Sequence, residues 1–109
     1  MAYDEERADR IRQVTSGLPG LTEKKMFGGI AFMVHGNMAC GVRGHDLMVR
    51  VAADTAEALL AEPGARPSDM GGRPMKGWLL VGPDGHAEDG DLRRWVGRGV
   101  SYASSLPPK

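Results

Sequence analysis

Residues 24–51 read KKMFGGIAFMVHGNMACGVRGHDLMVRV, and no other stretch constrains the fold as tightly. Three apolar runs, residues 30–34, 38–42 and 47–51, are separated by the short breaks His35-Gly36-Asn37 and Arg43-Gly44-His45-Asp46. Each run has the length of a strand, and breaks this short and this rich in Gly, Asn and Asp leave room only for tight reversals. The stretch therefore predicts consecutive antiparallel hairpins. It offers little reaction chemistry, because paired carboxylates, a phosphate loop and a metal-ligand cluster cannot be read on it.

Helical signals surround the hairpins. Asp4, Glu5 and Glu6 suit the positive end of a helix dipole, Ala8, Ile11 and Val14 form a helical stripe, and Gly17 and Pro19 end it, which predicts a helix over residues 4–16. Asp54, with Glu57 three residues on, reads as a capping box for a helix over 55–62 that stops at Pro63-Gly64. Residues 66–70 and 75–81 are strand candidates, pushed by Pro67 and Pro74 toward sheet edges or strand starts. Gly82-Pro83-Asp84-Gly85 has the chemistry of a turn. Asp89 or Asp91 then starts a last helix, with Leu92, Trp95, Val96, Gly99 and Ala103 as its apolar residues. Gly97 and Gly99 each cost that helix about 1 kcal/mol relative to alanine, which points to close packing there. The expected order is α-β-β-β-α-β-β-α, an α+β fold in which helices pack on a mainly antiparallel sheet. Phe32, Val49 and Trp95 are expected deep in its core.

The remaining composition narrows the function. A chain of 109 residues makes one domain, and 14 Lys plus Arg balance 14 Asp plus Glu. The basic footprint of a nucleic-acid binder is missing, so no direct nucleic-acid contact is expected. Cys40 stands alone and cannot close an internal disulfide, which leaves a cytoplasmic location as the default. Residues 1–12 mix acids with arginines and have no signal-length apolar core, and no later run approaches the roughly 20 apolar residues that span a bilayer. No membrane association is expected.

Candidates for chemistry are few. Cys40 lies between Ala39 and Gly41, with His35 and His45 in the flanking turns, and is read as a packed thiol rather than a nucleophile. One cysteine and the scattered His35, His45 and His86 do not supply the four ligands of structural zinc, so no metal and no cofactor are expected. These histidines fall in predicted turns, where solvated rings are ordinary. Gly28-Gly29 and Gly71-Gly72 do not lead from a strand into a helix and read as bulge or turn glycines. Arg50, Arg73 and Lys76 form an anion site if the third and last strands are neighbours; otherwise each is a solvated charge.

Strand alternation adds a question about the sheet's two faces. Ile30, Phe32 and Val34 share one side with Leu47, Val49 and Val51, beneath helices, while Ala31, Met33, Met48 and Arg50 lie opposite. On the middle strand, Met38, Cys40 and Val42 are placed on one side and Ala39, Gly41 and Arg43 on the other. An open antiparallel sheet is normally polar toward water, yet this side carries alanine, glycine and methionine. Either a helix of the chain crosses onto it, or a second subunit or another protein covers it. Ala31, Met33 and Met48 are the candidate interface residues.

Several strings acquire meaning together: Met26-Phe27-Gly28-Gly29-Ile30-Ala31-Phe32, Gly36-Asn37-Met38, Glu62-Pro63-Gly64-Ala65-Arg66-Pro67, Gly72-Arg73-Pro74-Met75-Lys76-Gly77-Trp78, and the helix bearing Trp95. Their combination resembles the TfoX N-terminal domain family over nearly the whole chain. That resemblance implies a secretion-chaperone-like fold with the element order read above. It also implies a link to transcription regulation through the TfoX/Sxy regulators of natural competence, whose two-domain members follow this module with a C-terminal helical domain. Residues 1–109 are read as one such module without the second domain. The expected function is a non-catalytic cytoplasmic interaction or regulatory module, bound to a protein partner or to itself as a homodimer. The alternative is a small-ligand or anion-binding domain, with or without enzymatic action, using a basic cleft of Arg50, Arg73 and Lys76.

Overall fold

The computed structural model describes residues 4–26, 29–70 and 73–108, with the side chains of residues 26, 68–70 and 73–76 outside that description. The hairpin region forms four strands rather than three: β1 (Leu21–Met26), β2 (Gly29–Val34), β3 (Asn37–Arg43) and β4 (Asp46–Arg50). The reversal between β2 and β3 is a two-residue turn in which His35 and Gly36 both take positive φ, 49° and 85°, the conformation that matches strand twist in a hairpin. The additional strand β1 pairs with β2 from Leu21↔Val34 to Met26↔Gly29. Its Glu23, Lys24 and Lys25 are the charges that keep an edge strand from recruiting another chain.

Helix α1 (Glu5–Val14) precedes the sheet, and Asp4 caps it by accepting from the backbone N–H groups of Glu6 and Arg7 at 3.1 and 3.3 Å. Helix α2 (Ala53–Leu59) leads from β4 to β5 (Ala65–Met70) and β6 (Arg73–Val81). It does not use the expected capping box. Its N-cap is Ala52, and Asp54 sits inside the first turn, accepting from the N–H of Thr55 at 2.9 Å. The Pro83 segment, expected as a turn, winds into the single helical turn α3 (Pro83–His86) before α4 (Asp89–Ser105). The sheet order is β1-β2-β3-β4-β6-β5, antiparallel throughout, so β6 is an inner strand and β5 an edge.

Three helices bury their apolar stripes on one side of this sheet. Ala8 and Ile11 of α1, Ala56 of α2, and Leu92, Trp95 and Val96 of α4 join one core with Ile30, Phe32, Cys40, Val49 and Leu79. Phe32 and Val49 are fully buried and Trp95 is 1% exposed, as expected.

A bulge corrects the reading of the middle strand. Phe32 pairs with Cys40, but Met33 pairs with Met38, so Ala39 is the extra residue. Ala39 therefore joins Cys40 on the helix side, packed with Val34 and Ala103, and Met38 turns to the opposite face. The two helical glycines also separate. A Cβ at Gly99 would run into the carbonyl of Ala39, so α4 rests its backbone on the bulge; a Cβ at Gly97 meets nothing within 4 Å. Close packing explains Gly99 and not Gly97.

Candidate functional site

Directly opposed residues of an antiparallel ladder project to the same side. The register thus assembles one continuous face across the sheet: Thr22↔Met33, Lys24↔Ala31, Ala31↔Gly41, Met33↔Met38, Gly41↔Met48, Met48↔Leu80 and Arg50↔Trp78. The core contacts of α1, α2 and α4 lie on the other side, as does that of Gly85 in α3 with Val81, and no described helix crosses onto this face. Of the two covers considered for it, the chain's own helices are therefore removed. Met33, Met38, Met48, Trp78 and Leu80 are half-buried. Ala31 is fully buried, so it underlies the surface instead of presenting a contact. A Cβ at Gly41 would lie 3.0 Å from Cε of Met48 and 3.1 Å from Cε of Met38, which places both methyl groups over the glycine. The methionines thus lie across the small residues, and their flexible thioethers form the apolar centre of the face.

Charged residues ring that centre. Lys24 on β1, Arg43 on β3 and Arg66 on β5 are exposed, and the same registers put them on this side, with Asp46 opposite Arg43 and Arg66 opposite Leu80. Asp46 accepts from Arg66 at 2.6 Å. Arg50 lies at the far end of β4, its guanidinium carbon 5.5 Å from the ring centroids of both Trp78 and Tyr102. Such stacking holds the cation in place without discharging it. Arg73 and Lys76 belong to β6, but their side chains lie outside the described residues, so the expected three-cation cleft is represented here by Arg50 alone.

Next to Tyr102, a groove of about 590 Å³ opens between α4 and the start of α2, lined by Val51, Ala52, Thr55, Arg94, Arg98 and Ser101 among others. Arg98 stacks 4.6 Å from the Trp95 ring and donates through Nη2 to Glu62 Oε2 at 2.8 Å. That bond, helped by Arg94, holds the Glu62 carboxyl below its ordinary range. Arg98 Nη1 is buried without a partner among the described residues. Sequence reasoning passed over these arginines, although Trp95 and Arg98 stand at the i,i+3 spacing that brings helix side chains together. Two guanidiniums partly neutralised by Glu62 and Asp91 can hold polar groups; they supply no nucleophile and no proton-transfer pair.

The remaining titratable groups are dispersed. Cys40 is fully buried and its thiol is pushed up to about 12 by desolvation, which makes it a packing residue at neutral pH. His35 and His45 are exposed, and His45 Nδ1 lies 3.2 Å from Asp4 Oδ2. His86 corrects the expectation of a solvated ring: it is 1% exposed, with Nε2 3.0 Å from the carbonyl of His45 and Nδ1 without a partner among the described residues. Burial lowers its pKa. Among the described residues no group of three His, Cys, Asp or Glu side chains is arranged to hold a metal ion, and no helix is long and apolar enough to cross a membrane.

A family model, the TfoX N-terminal domain, matches residues 13–103, a span that takes in all six strands and most of α4. No curated protein and no solved structure matches the chain.

Proposed function

The chain belongs to the TfoX N-terminal domain family, and we propose that it acts as a non-catalytic, cytoplasmic protein-interaction module in transcription regulation of the kind exerted by the TfoX/Sxy competence regulators. One observation carries this reading. The helix-free face of the sheet has an apolar centre of Met33, Met38, Met48 and Leu80 inside a ring of charged side chains. An apolar centre within a polar rim is the usual anatomy of a protein interface. Each Å² of apolar surface that a partner removes from water favours association by about 25 cal/mol before the entropic cost of docking. A standard interface buries about 800 Å² a side.

Capture from native lysate with wild type and Met48→Glu as paired baits tests the reading. The expected result is that species held by the wild type, another protein or further copies of this chain, are lost from Met48→Glu while its circular dichroism and unfolding midpoint stay unchanged. A new charge in the contact has that effect without touching the helix-side core. Equal capture by both baits, or by neither, contradicts the proposal.

A further inference from the structure

We infer that the methionine face takes an acidic amphipathic segment of a partner protein rather than a second copy of this chain. This rests on the face being the docking surface, and it adds the chemistry of the occupant.

Charge supplies the argument. The chain is neutral as a whole, yet the described charged residues that ring the apolar centre are Lys24, Arg43 and Arg66 against Asp46, which is bound to Arg66, while the Arg50 guanidinium at the end of β4 is held between Trp78 and Tyr102 of α4. On the other side of the sheet the helices are near balance, the acids of α1 and α4 standing beside Arg7, Arg10, Arg12, Arg93, Arg94 and Arg98 on the same elements. A two-fold dimer would press this cationic rim against its own copy, and like charges facing each other suppress association. A segment bearing Asp and Glu meets complementary charge at Lys24 and Arg43, and at Arg66 where it shares the cation with Asp46.

Geometry sets its length. Lys24 stands on one edge strand and Arg66 on the other, with four strands between them. Five strand spacings of about 4.8 Å make roughly 24 Å, which a helix of about 16 residues spans when it lies across the strands. Its carboxylates near the two ends then reach Lys24 and Arg66, one near the middle reaches Arg43, and its apolar stripe lies on Met33, Met48 and Leu80. Methionine adapts to whatever apolar side chains that stripe carries.

The test uses the isotope-labelled chain and three synthetic helical peptides of about 16 residues. They share one leucine stripe and carry Glu, Gln or Lys at the polar positions. The Glu peptide is expected to shift the amide signals of Ala31, Gly41 and Met48 saturably. Binding should fall about tenfold for the Gln peptide or for the double variant Lys24→Glu, Arg43→Glu, and be lost for the Lys peptide. Equal binding of the Glu and Gln peptides overturns the inference. So does an oligothymidylate that produces the same shifts, which would assign the rim to phosphate. If light scattering instead finds a dimer that Met48→Glu dissociates and the Glu peptide does not disturb, the occupant is a second copy and the docking face stands. If no peptide shifts the face and Met48→Glu captures as the wild type does, both readings fall.

Discussion

Protonating His86 would place a charge in a buried site where Nδ1 has no acceptor among the described residues. Burial is the main cause of its lowered pKa; the Arg7 guanidinium on α1 adds repulsion, while the carbonyl of His45 and the Asp46 carboxylate on the sheet side work the other way. Arg7 reaches this region by donating to the His86 carbonyl at 3.2 Å. Because the folded pKa lies below the ordinary 6.5, the unfolded chain binds the proton first as pH falls. The stability due to the neutral ring is complete above the unfolded value and drains away as pH drops through the interval down to the folded one. Urea midpoints should therefore decline between about pH 7 and pH 5, above the range where carboxylates titrate. A flat midpoint there would mean that the ring is solvated. The burial of His86 was not legible in the sequence, since Gly82-Pro83-Asp84-Gly85 signals a surface turn and the residues that meet it come from α1 and the turn before β4. Cys40 was legible, because a lone cysteine in an apolar strand is ordinarily a packed one.

At the scale of elements, Gly97 and Gly99 occupy the same helix and face opposite demands. Gly99→Ala drives a methyl group into the carbonyl of Ala39, at a cost of about 1–3 kcal/mol for overpacking. Gly97→Ala enters open space and relieves the helix of an interior glycine, a gain of about 0.5–1 kcal/mol. Thermal unfolding should thus move the two midpoints in opposite directions; a fall for both would mean that Gly97 is packed as well. Nothing among the described residues explains the glycine at 97. The apolar runs and turn residues made β2, β3 and β4 legible, and the pairing next to each short turn follows from that turn. The edge strand β1 was not legible, because Glu23, Lys24 and Lys25 erase the alternation by which strands are recognised, and it is ordered by its ladder with β2. Nor was the bulge at Ala39. A strict period of two put Met38 with Cys40, whereas the extra residue that brings Ala39 under Gly99 turns Met38 to the other face.

The molecule as a whole is one sheet with its helices gathered on a single side, and that asymmetry leaves the methionine face open. Which side the helices take is settled by long-range packing: Ala8, Ala56 and Trp95 come from three separate helices into one core. Local patterns therefore posed the question of what covers the second face without answering it. Met33 and Met48 were nevertheless readable as members of that face, and its cationic ring emerges only when the register sets Lys24, Arg43 and Arg66 beside them. The docking role of the face is tested most directly on the methionine methyl groups themselves. Methyl-labelled chain in a soluble paramagnetic co-solute should show the signals of Met33, Met38 and Met48 broadened when the protein is free, and protected once a saturating partner segment is bound. Signals already protected in the free monomer, or still broadened under saturating partner, would contradict that role.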